Sequence, residues 1–329
     1  MIAAFPSTLG IVAVGAAVPE RVLTNEELAR IVDTNDEWIV SRTGIRERRI
    51  AAEGEWGSDL ALRAAEQALD RSGLAPAQID LVIVASASPE RYFPAAAAIV
   101  ADRLGAHSAA AYDLLAACTG FAYAIAQAAA QIQAGLIEHA LVIGAETLSR
   151  ILDWEDRGTC ILFGDGAGAV VISRDALPEP QVLAIELGAD GARGPDLMAE
   201  SLRGRNVIVM NGREVFKFAA RTMVDSSARV LERAGLGIED VDWFVPHQAN
   251  KRIIDHAIER LGIDPARVIM NLDRYGNTSS ASIPLCLDEA WQDGRIRQGD
   301  RVLMVGFGGG LTWGSCLTTW AGPTIRRGG

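Results

Sequence analysis

Cysteine is scarce in this chain: four in 329 residues (Cys118, Cys160, Cys286 and Cys316), with no CxxC pair and no histidine at metal-ligand spacing. In a chain of this size that pattern fits reduced thiols in the cytoplasm better than disulfide staples or a zinc site. Net positive charge is also lacking. A net charge of −11 argues against general nucleic-acid binding, which needs a positive surface, while leaving room for a local basic patch. The longest apolar stretches, Ala85–Val100 and Leu114–Ile132, are interrupted by polar or charged residues. Neither supplies the roughly 20 apolar residues that span a bilayer. No basic segment precedes an apolar run near the start, so no signal peptide is expected. What remains is ordinary globular material, 49% apolar and 22% charged, long enough for one large domain or two fused ones.

Short β-rich runs alternate with longer Ala-rich amphipathic ones, the pattern of an α/β protein with mostly parallel, buried strands. Strands are expected at Leu9–Gly15, Asp80–Ala85, Ala140–Gly144, Ala169–Ile172, Asp242–Val245 and Arg301–Gly306. Helices are expected at Asn25–Ile31, Ser58–Ser72, Thr119–Ala134, Val215–Ala234, Lys251–Leu261 and Ser282–Trp291. The chain also repeats itself. LDRSGLAPAQIDLVIVAS, starting at Leu69, lies without a gap on LERAGLGIEDVDWFVPHQ, starting at Leu231, with identities at Leu69/Leu231, Arg71/Arg233, Gly73/Gly235, Leu74/Leu236 and Asp80/Asp242. Each copy reads as helix, glycine cap, short loop and buried strand. A helix ending at Leu-Gly follows in each (Leu104-Gly105, Leu261-Gly262), then a strand ending in glycine (Gly144, Gly306). Two diverged halves are therefore expected, 1–178 and 179–329, with the site where they face each other.

Four segments carry candidate chemistry. Cys118 stands before Thr119-Gly120 at the start of an Ala-rich helix. There the positive end of the helix dipole favours thiolate, so a lowered pKa and a nucleophilic role are expected; the alternative is a packed, inert thiol. Cys160, Cys286 and Cys316 have no evident activator and read as core. His247, in WFVPHQANKRII, follows a buried strand, at the end where α/β sheets bind ligands, although a lone histidine there is more often structural. Asn277, in RYGNTSSASIPL, opens a helix after a Gly-Asn-Thr-Ser turn and by itself reads as a turn or cap residue. VGFGGGLTWGS is a glycine cluster after a strand, able to bring backbone N–H groups close to a ligand. It is neither a dinucleotide fingerprint nor a Walker A loop. Taken together, a cysteine, a histidine, an asparagine and a glycine-rich loop make an acyl-transfer set.

Several motifs in order, DEWIVSRTGIRERRI, AACTGF, DRGTCILFGDGAGAVV, MNGREVFKFA, PHQANKRI, GNTSSASIPL and GFGGGLTWGS, resemble those of the 3-oxoacyl-[acyl-carrier-protein] synthase III family of the thiolase superfamily over nearly the whole length. The resemblance implies a thiolase-like five-layered αβαβα sandwich, a homodimer, no cofactor beyond acyl-CoA as substrate, and malonyl-acyl-carrier protein as partner. It implies Cys118 as acylated nucleophile, with His247 and Asn277 holding the malonyl thioester oxygen. The Cys118 N–H and Gly309 would form an oxyanion hole, and Phe307 would repel the malonyl carboxylate. Trp38, Arg42 and Arg157 would grip coenzyme A. Arg252, Lys251 and Lys217 would dock the carrier protein, although a solvated charge run is the alternative there. Phe93 would gate the acyl pocket, in a loop (SASPERYFP) that borders that pocket partly across the dimer interface. The C-terminal AGPTIRRGG extends past the family's usual end.

Relatives with other chemistry fit less well. Thiolases carry a second cysteine where this chain has GFGGG, and elongating ketoacyl synthases carry a second histidine where it has Asn277. A synthase of specialised metabolism using another starter or acceptor shares these residues. A non-catalytic acyl-binding scaffold would need none of the three.

Overall fold

The computed structural model describes residues 1–200 and 206–322. Two five-stranded sheets form its frame. In the first, the strand order is Gly10–Ala17, Asp165–Ser173, His139–Thr147, Leu81–Ala85, Ala110–Leu114; in the second it is Ile2–Ser7, Gln181–Ala189, Thr312–Thr319, Arg301–Gly308, Trp243–Pro246. The helices Gly120–Gln133 and Ser282–Gln292 lie between the sheets, each packed against strands of both. Gly57–Ser72 and Ala96–Leu104 cover the outer face of the first sheet, and Gly212–Ala234 packs over the second with Lys251–Leu261 beside it. The hydrophobic core divides accordingly. One cluster, including Ile83, Phe121, Ile125, Ile283 and Met304, joins both inner faces to the central helices. Two others sit under the outer helices. This is the five-layered αβαβα order expected.

The repeat survives in three dimensions. Gly73 and Gly235 cap their helices at φ 72° and 71°, and Gly105 and Gly262 do so at 80° and 69°. This left-handed conformation is one that glycine adopts without a Cβ penalty. A single 3-10 turn follows the first cap of each half (Pro76–Gln78, Ile238–Asp240), then the buried strand. The same offset in sequence number that carries Leu69 onto Leu231 carries Cys118 onto Ser280 and Gly144 onto Gly306. The first strand crosses between the halves: Ile2–Ser7 pairs antiparallel with Gln181–Ala189.

The expectation of mostly parallel sheets is corrected. Within the two five-stranded sheets three pairings are parallel, those of Leu81–Ala85 with its two neighbours and of Trp243–Pro246 with Arg301–Gly308; five are antiparallel. Parallel pairing needs a long crossover, usually helical. Arg301–Gly308 and Thr312–Thr319 are joined by too few residues for one, and no α-helix separates His139–Thr147 from Asp165–Ser173. Helix Asp36–Thr43 was not foreseen, because its buried face holds only Ile39 and Thr43 and leaves almost no apolar period; Asn35 caps its start by accepting from the Trp38 N–H (2.8 Å).

Candidate active site

Cys118 and Asn277 arrive from corresponding places in the two halves. Cys118 sits in the 3-10 turn Ala117–Thr119 that leads into Gly120–Gln133; Asn277 precedes the matching turn, Ser279–Ala281, that leads into Ser282–Gln292. Each turn begins with a non-glycine residue in left-handed backbone, Ala117 at φ 46° and Ser279 at φ 49°. Such residues cost on the order of 1–3 kcal/mol and persist where their surroundings over-determine them. The two turns pack on each other. Gly308 lies behind the thiol: a Cβ there would stand 2.7 Å from the Cys118 backbone nitrogen, so only glycine lets strand and turn come this close.

Cys118, His247, Asn277 and Phe307 line one cavity, together with Phe216 and Asn250. Cys118 also opens on a second, apolar cavity bounded by Leu148, Ile151, Phe163, Leu197 and Ile208, with Ala117, Ser279 and Gly309 at its Cys118 end. The thiol is thus the point where a polar-tipped chamber meets a hydrocarbon-lined one.

His247 is buried, its N–H bonded to the Val305 carbonyl (2.8 Å), yet neither ring nitrogen has a hydrogen-bond partner. Phe307 meets the imidazole edge-on, with centroids 5.4 Å apart at 73°. Burial without a counter-charge pushes the imidazole down to about 3, so at neutral pH it is an uncharged ring with one N–H to give. A buried donor left unpaired at a cavity wall is a ligand position. Asn277 is fixed from both sides. Its N–H bonds to the Leu162 carbonyl (2.8 Å), its carbonyl accepts from the Gly164 N–H (3.0 Å), and its Oδ1 accepts from the Ser279 N–H (2.8 Å). The amide NH₂ is left for the cavity. Arg48, fully buried, braces this segment by donating to the Ile161 carbonyl (2.6 Å) and to Asn25 Oδ1 (2.7 Å).

One expectation fails. The Cys118 thiol is not lowered but pushed up to about 12, first by burial, then by the Glu146 carboxylate; the Ser279 hydroxyl pulls the other way. The helix start is as expected, but among the described residues no cation accompanies it, and in a residue only 8% exposed the sulfur has little water to stabilise its charge.

Residues 112–191 match the family described as 3-oxoacyl-[acyl-carrier-protein (ACP)] synthase III, and residues 231–320 match its C-terminal domain. A beta-ketoacyl-[acyl-carrier-protein] synthase III of Desulfitobacterium hafniense is 54% identical, over 95% of this chain and 98% of the relative. The chain belongs to the 3-oxoacyl-[acyl-carrier-protein] synthase III family. Among solved structures, the synthase III of Thermus thermophilus superposes with a TM-score of 0.89 at 51% identity, covering 94% of this chain and 99% of that one. A priming beta-ketosynthase from the R1128 polyketide pathway gives 0.92 at 37%, covering 97% and 98%. As a member of this family the protein is a condensing acyltransferase, a β-ketoacyl synthase of the kind that initiates fatty acid synthesis.

Other residues that the synthase III motifs single out fall into two groups. Trp38, Arg42 and Arg157 come together: the Arg42 and Arg157 guanidiniums lie 5.1 and 4.9 Å from the Trp38 ring, and Arg157 also donates to the Asp33 carbonyl (2.9 Å). Arg252 stands over Phe216, 5.3 Å from its centroid, and Phe216 lines the Cys118 cavity. Lys217 and Lys251, the chain's only two lysines, are exposed but paired with Glu214 (2.6 Å) and Asp255 (2.7 Å) on their own helices. Phe93 is not brought to the site within one chain; it is 86% exposed and lines neither cavity. Of AGPTIRRGG, residues 323–329 lie outside the described residues. Motif reading missed Gly308, Phe216 and Glu146. Gly308 and Phe216 lay inside quoted motifs, and Glu146 occupies the position in the first half that matches Gly308 in the second.

The neutral imidazole has a consequence for stability. A histidine depressed in the folded state is protonated more readily when unfolded, so stability falls as pH drops below about 6.5 and continues to fall toward about 3. His247→Gln removes that contribution. Urea unfolding at pH 7.5 and pH 5 is expected to show the wild type losing about 2 kcal/mol more than the variant between the two.

Proposed function

We propose that the chain joins a short acyl-CoA, acetyl-CoA or similar, to malonyl-acyl-carrier protein by decarboxylative Claisen condensation, releasing CoA, carbon dioxide and 3-oxoacyl-carrier protein. One observation carries this reading: an acylatable thiol, an unpaired neutral imidazole and an asparagine amide line one cavity, and an apolar pocket also opens on the thiol. In the first half-reaction the Cys118 sulfur attacks the acyl thioester carbonyl. The Cys118 and Gly309 N–H groups hold the oxyanion, the CoA thiolate leaves, and the thiol proton ends on CoA. Because the resting thiol is protonated, its proton leaves in the course of attack, not before it. In the second, the His247 and Asn277 donors hold the malonyl thioester oxygen. The bond to the carboxylate breaks, carbon dioxide departs and the electron pair forms an enolate stabilised by those donors. The enolate carbon then attacks the acyl–Cys118 carbonyl and expels the Cys118 thiolate, which takes up a proton from solvent to restore the resting thiol. Phe307 offers the malonyl carboxylate an apolar neighbour, which favours its loss as neutral carbon dioxide.

Trp38, Arg42 and Arg157 are suited to coenzyme A, an indole and guanidiniums for a base and its phosphates. With Trp38→Ala or Arg157→Ala, the KM for acyl-CoA should rise several-fold at nearly constant kcat, the scale of roughly 1 kcal/mol per lost stacking contact; an unchanged KM removes them from the coenzyme site. Arg252, with Lys251 and Lys217, is proposed to receive the acidic carrier protein. The protein is proposed to act in the cytoplasm as a homodimer. The exposed Tyr92, Phe93 and Leu115 and the edge strand Ala110–Leu114 supply a face for the partner subunit, where Phe93 would gate an acyl pocket. Sedimentation finding a monomer at micromolar concentration ends that part of the reading.

The likeness to a polyketide priming synthase favours a second reading, a starter condensation in specialised metabolism on the same residues. The deciding experiment gives the protein malonyl-acyl-carrier protein and a panel of acyl-CoA primers and follows carbon dioxide and the 3-oxoacyl product. Turnover with acetyl-CoA supports the first reading and turnover with other primers alone supports the second. No product from any primer overturns both.

A further inference from the structure

The most constrained titratable group outside the proposed chemistry is Glu146, at the inner end of strand His139–Thr147. Its side chain is fully buried, and among the described residues no lysine, arginine or histidine pairs with it. Its carboxylate instead accepts from two segments. The Ser280 N–H (3.4 Å) and hydroxyl (2.9 Å) reach it from the turn Ser279–Ala281. The Ala87 N–H (3.0 Å) and the hydroxyls of Ser86 (3.3 Å) and Ser88 (2.6 Å) reach it from the loop after strand Leu81–Ala85. The Ser88 hydroxyl also accepts from the Thr147 N–H (2.9 Å) and so ties that loop to Glu146's own strand. A buried carboxyl without a cation is tolerable only when such donors stay in place, so the group and the two loops hold one another.

The duplication explains the placement. Glu146 corresponds in sequence offset to Gly308, and Ser280 to Cys118. In the second half Gly308 presents no side chain to the Cys118 turn, leaving the thiol open to two cavities; in the first half Glu146 fills the equivalent space and locks the Ser280 turn. The locked turn is the one whose Ser279 N–H holds Asn277 Oδ1. The buried Ser279 hydroxyl favours the charged form of both the Glu146 carboxyl and the Cys118 thiol. Ala87, held from the other side, lines the apolar cavity.

We propose that Glu146 is a positioning residue for the decarboxylating half-reaction, anchoring the Ser279–Ser280 turn so that the Asn277 amide is aimed at the malonyl thioester oxygen. The proposal rests on the roles given above to Cys118 and Asn277. In the full-length Glu146→Gln variant, acetylation of Cys118, followed by intact mass, is expected to proceed within about threefold of wild type, while carbon dioxide release from malonyl-acyl-carrier protein falls on the order of 100-fold, the scale of a donor misplaced by about 1 Å. The pH profile of Cys118 alkylation by iodoacetamide should move to lower pH, because a like charge facing the thiolate is gone. Wild-type carbon dioxide release in this variant overturns the proposal. So does equal loss of both half-reactions with an unmoved alkylation profile, which would make Glu146 a packing residue only. Should the glutamine variant not fold, Ser280→Ala takes its place. That change removes one hydroxyl from the anchor and should cost decarboxylation about tenfold with acylation kept; unchanged decarboxylation there likewise overturns the proposal. A wild-type chain that takes no acyl group at all would sink the condensation reading itself, a separate outcome.

Discussion

Acetyl-CoA is expected to leave one acetyl group on the wild-type chain and none on Cys118→Ala, and condensation in the variant should fall on the order of 10⁴-fold or more, the scale at which nucleophile deletions act. The size of the effect follows from the site. Of the four cysteines, Cys160, Cys286 and Cys316 are fully buried, and neither cavity that meets at Cys118 includes them. None can substitute as an acyl acceptor. Intact mass after incubation with acetyl-CoA reads the outcome directly. Persistence of the adduct in Cys118→Ala would move the nucleophile elsewhere and undo the mechanism. A thiol held near 12 also sets a subsidiary expectation: iodoacetamide should alkylate the ligand-free enzyme slowly at pH 7 and steadily faster up to pH 10. A rate already at its plateau at pH 7 would show a thiolate formed in advance, as the helix start alone led one to expect.

The second large effect separates the half-reactions. His247→Ala and Asn277→Ala should each still take the acetyl group from acetyl-CoA, yet release carbon dioxide from malonyl-acyl-carrier protein some 10²- to 10³-fold more slowly, the range for losing one preorganised donor to a developing oxyanion. Both side chains are placed for this by bonds that do not use the atoms in question. The His247 backbone is held by Val305 while its ring nitrogens are unpaired, and Asn277 is held through its backbone and Oδ1 while its NH₂ faces the cavity. Because the imidazole is neutral down to about pH 3, decarboxylation in the wild type should not follow a histidine titration between pH 5 and 8. Full carbon dioxide release by either variant, or loss of acylation together with it, would contradict these roles.

Much of this was legible in the chain. Strand and helix positions came through where period and caps were strong: Lys251–Leu261 is as expected to the residue, and Ser58–Ser72 starts one residue earlier, at Gly57. Cys118, His247 and Asn277 were each ambiguous alone and gained weight as a set. Strands Ala110–Leu114, Gln181–Ala189 and Thr312–Thr319 were not foreseen. Ala110–Leu114 is a partly exposed edge strand, and the other two pair only antiparallel, with no helix to announce them. The charge state of Cys118 was misjudged because a helix start is visible in sequence, whereas its burial and the carboxylate of Glu146 are not.

By itself the sequence determined the family and singled out the internal repeat and three candidate groups, because periodicity, caps and short motifs are local and are written in neighbouring residues. The tertiary structure alone decided that those groups share a cavity with an apolar pocket also opening on the thiol, that the imidazole is neutral and unpaired, and that the thiol is protonated. Each depends on which atoms from distant segments exclude water from a given point, and desolvation has no signature in a local run of residues.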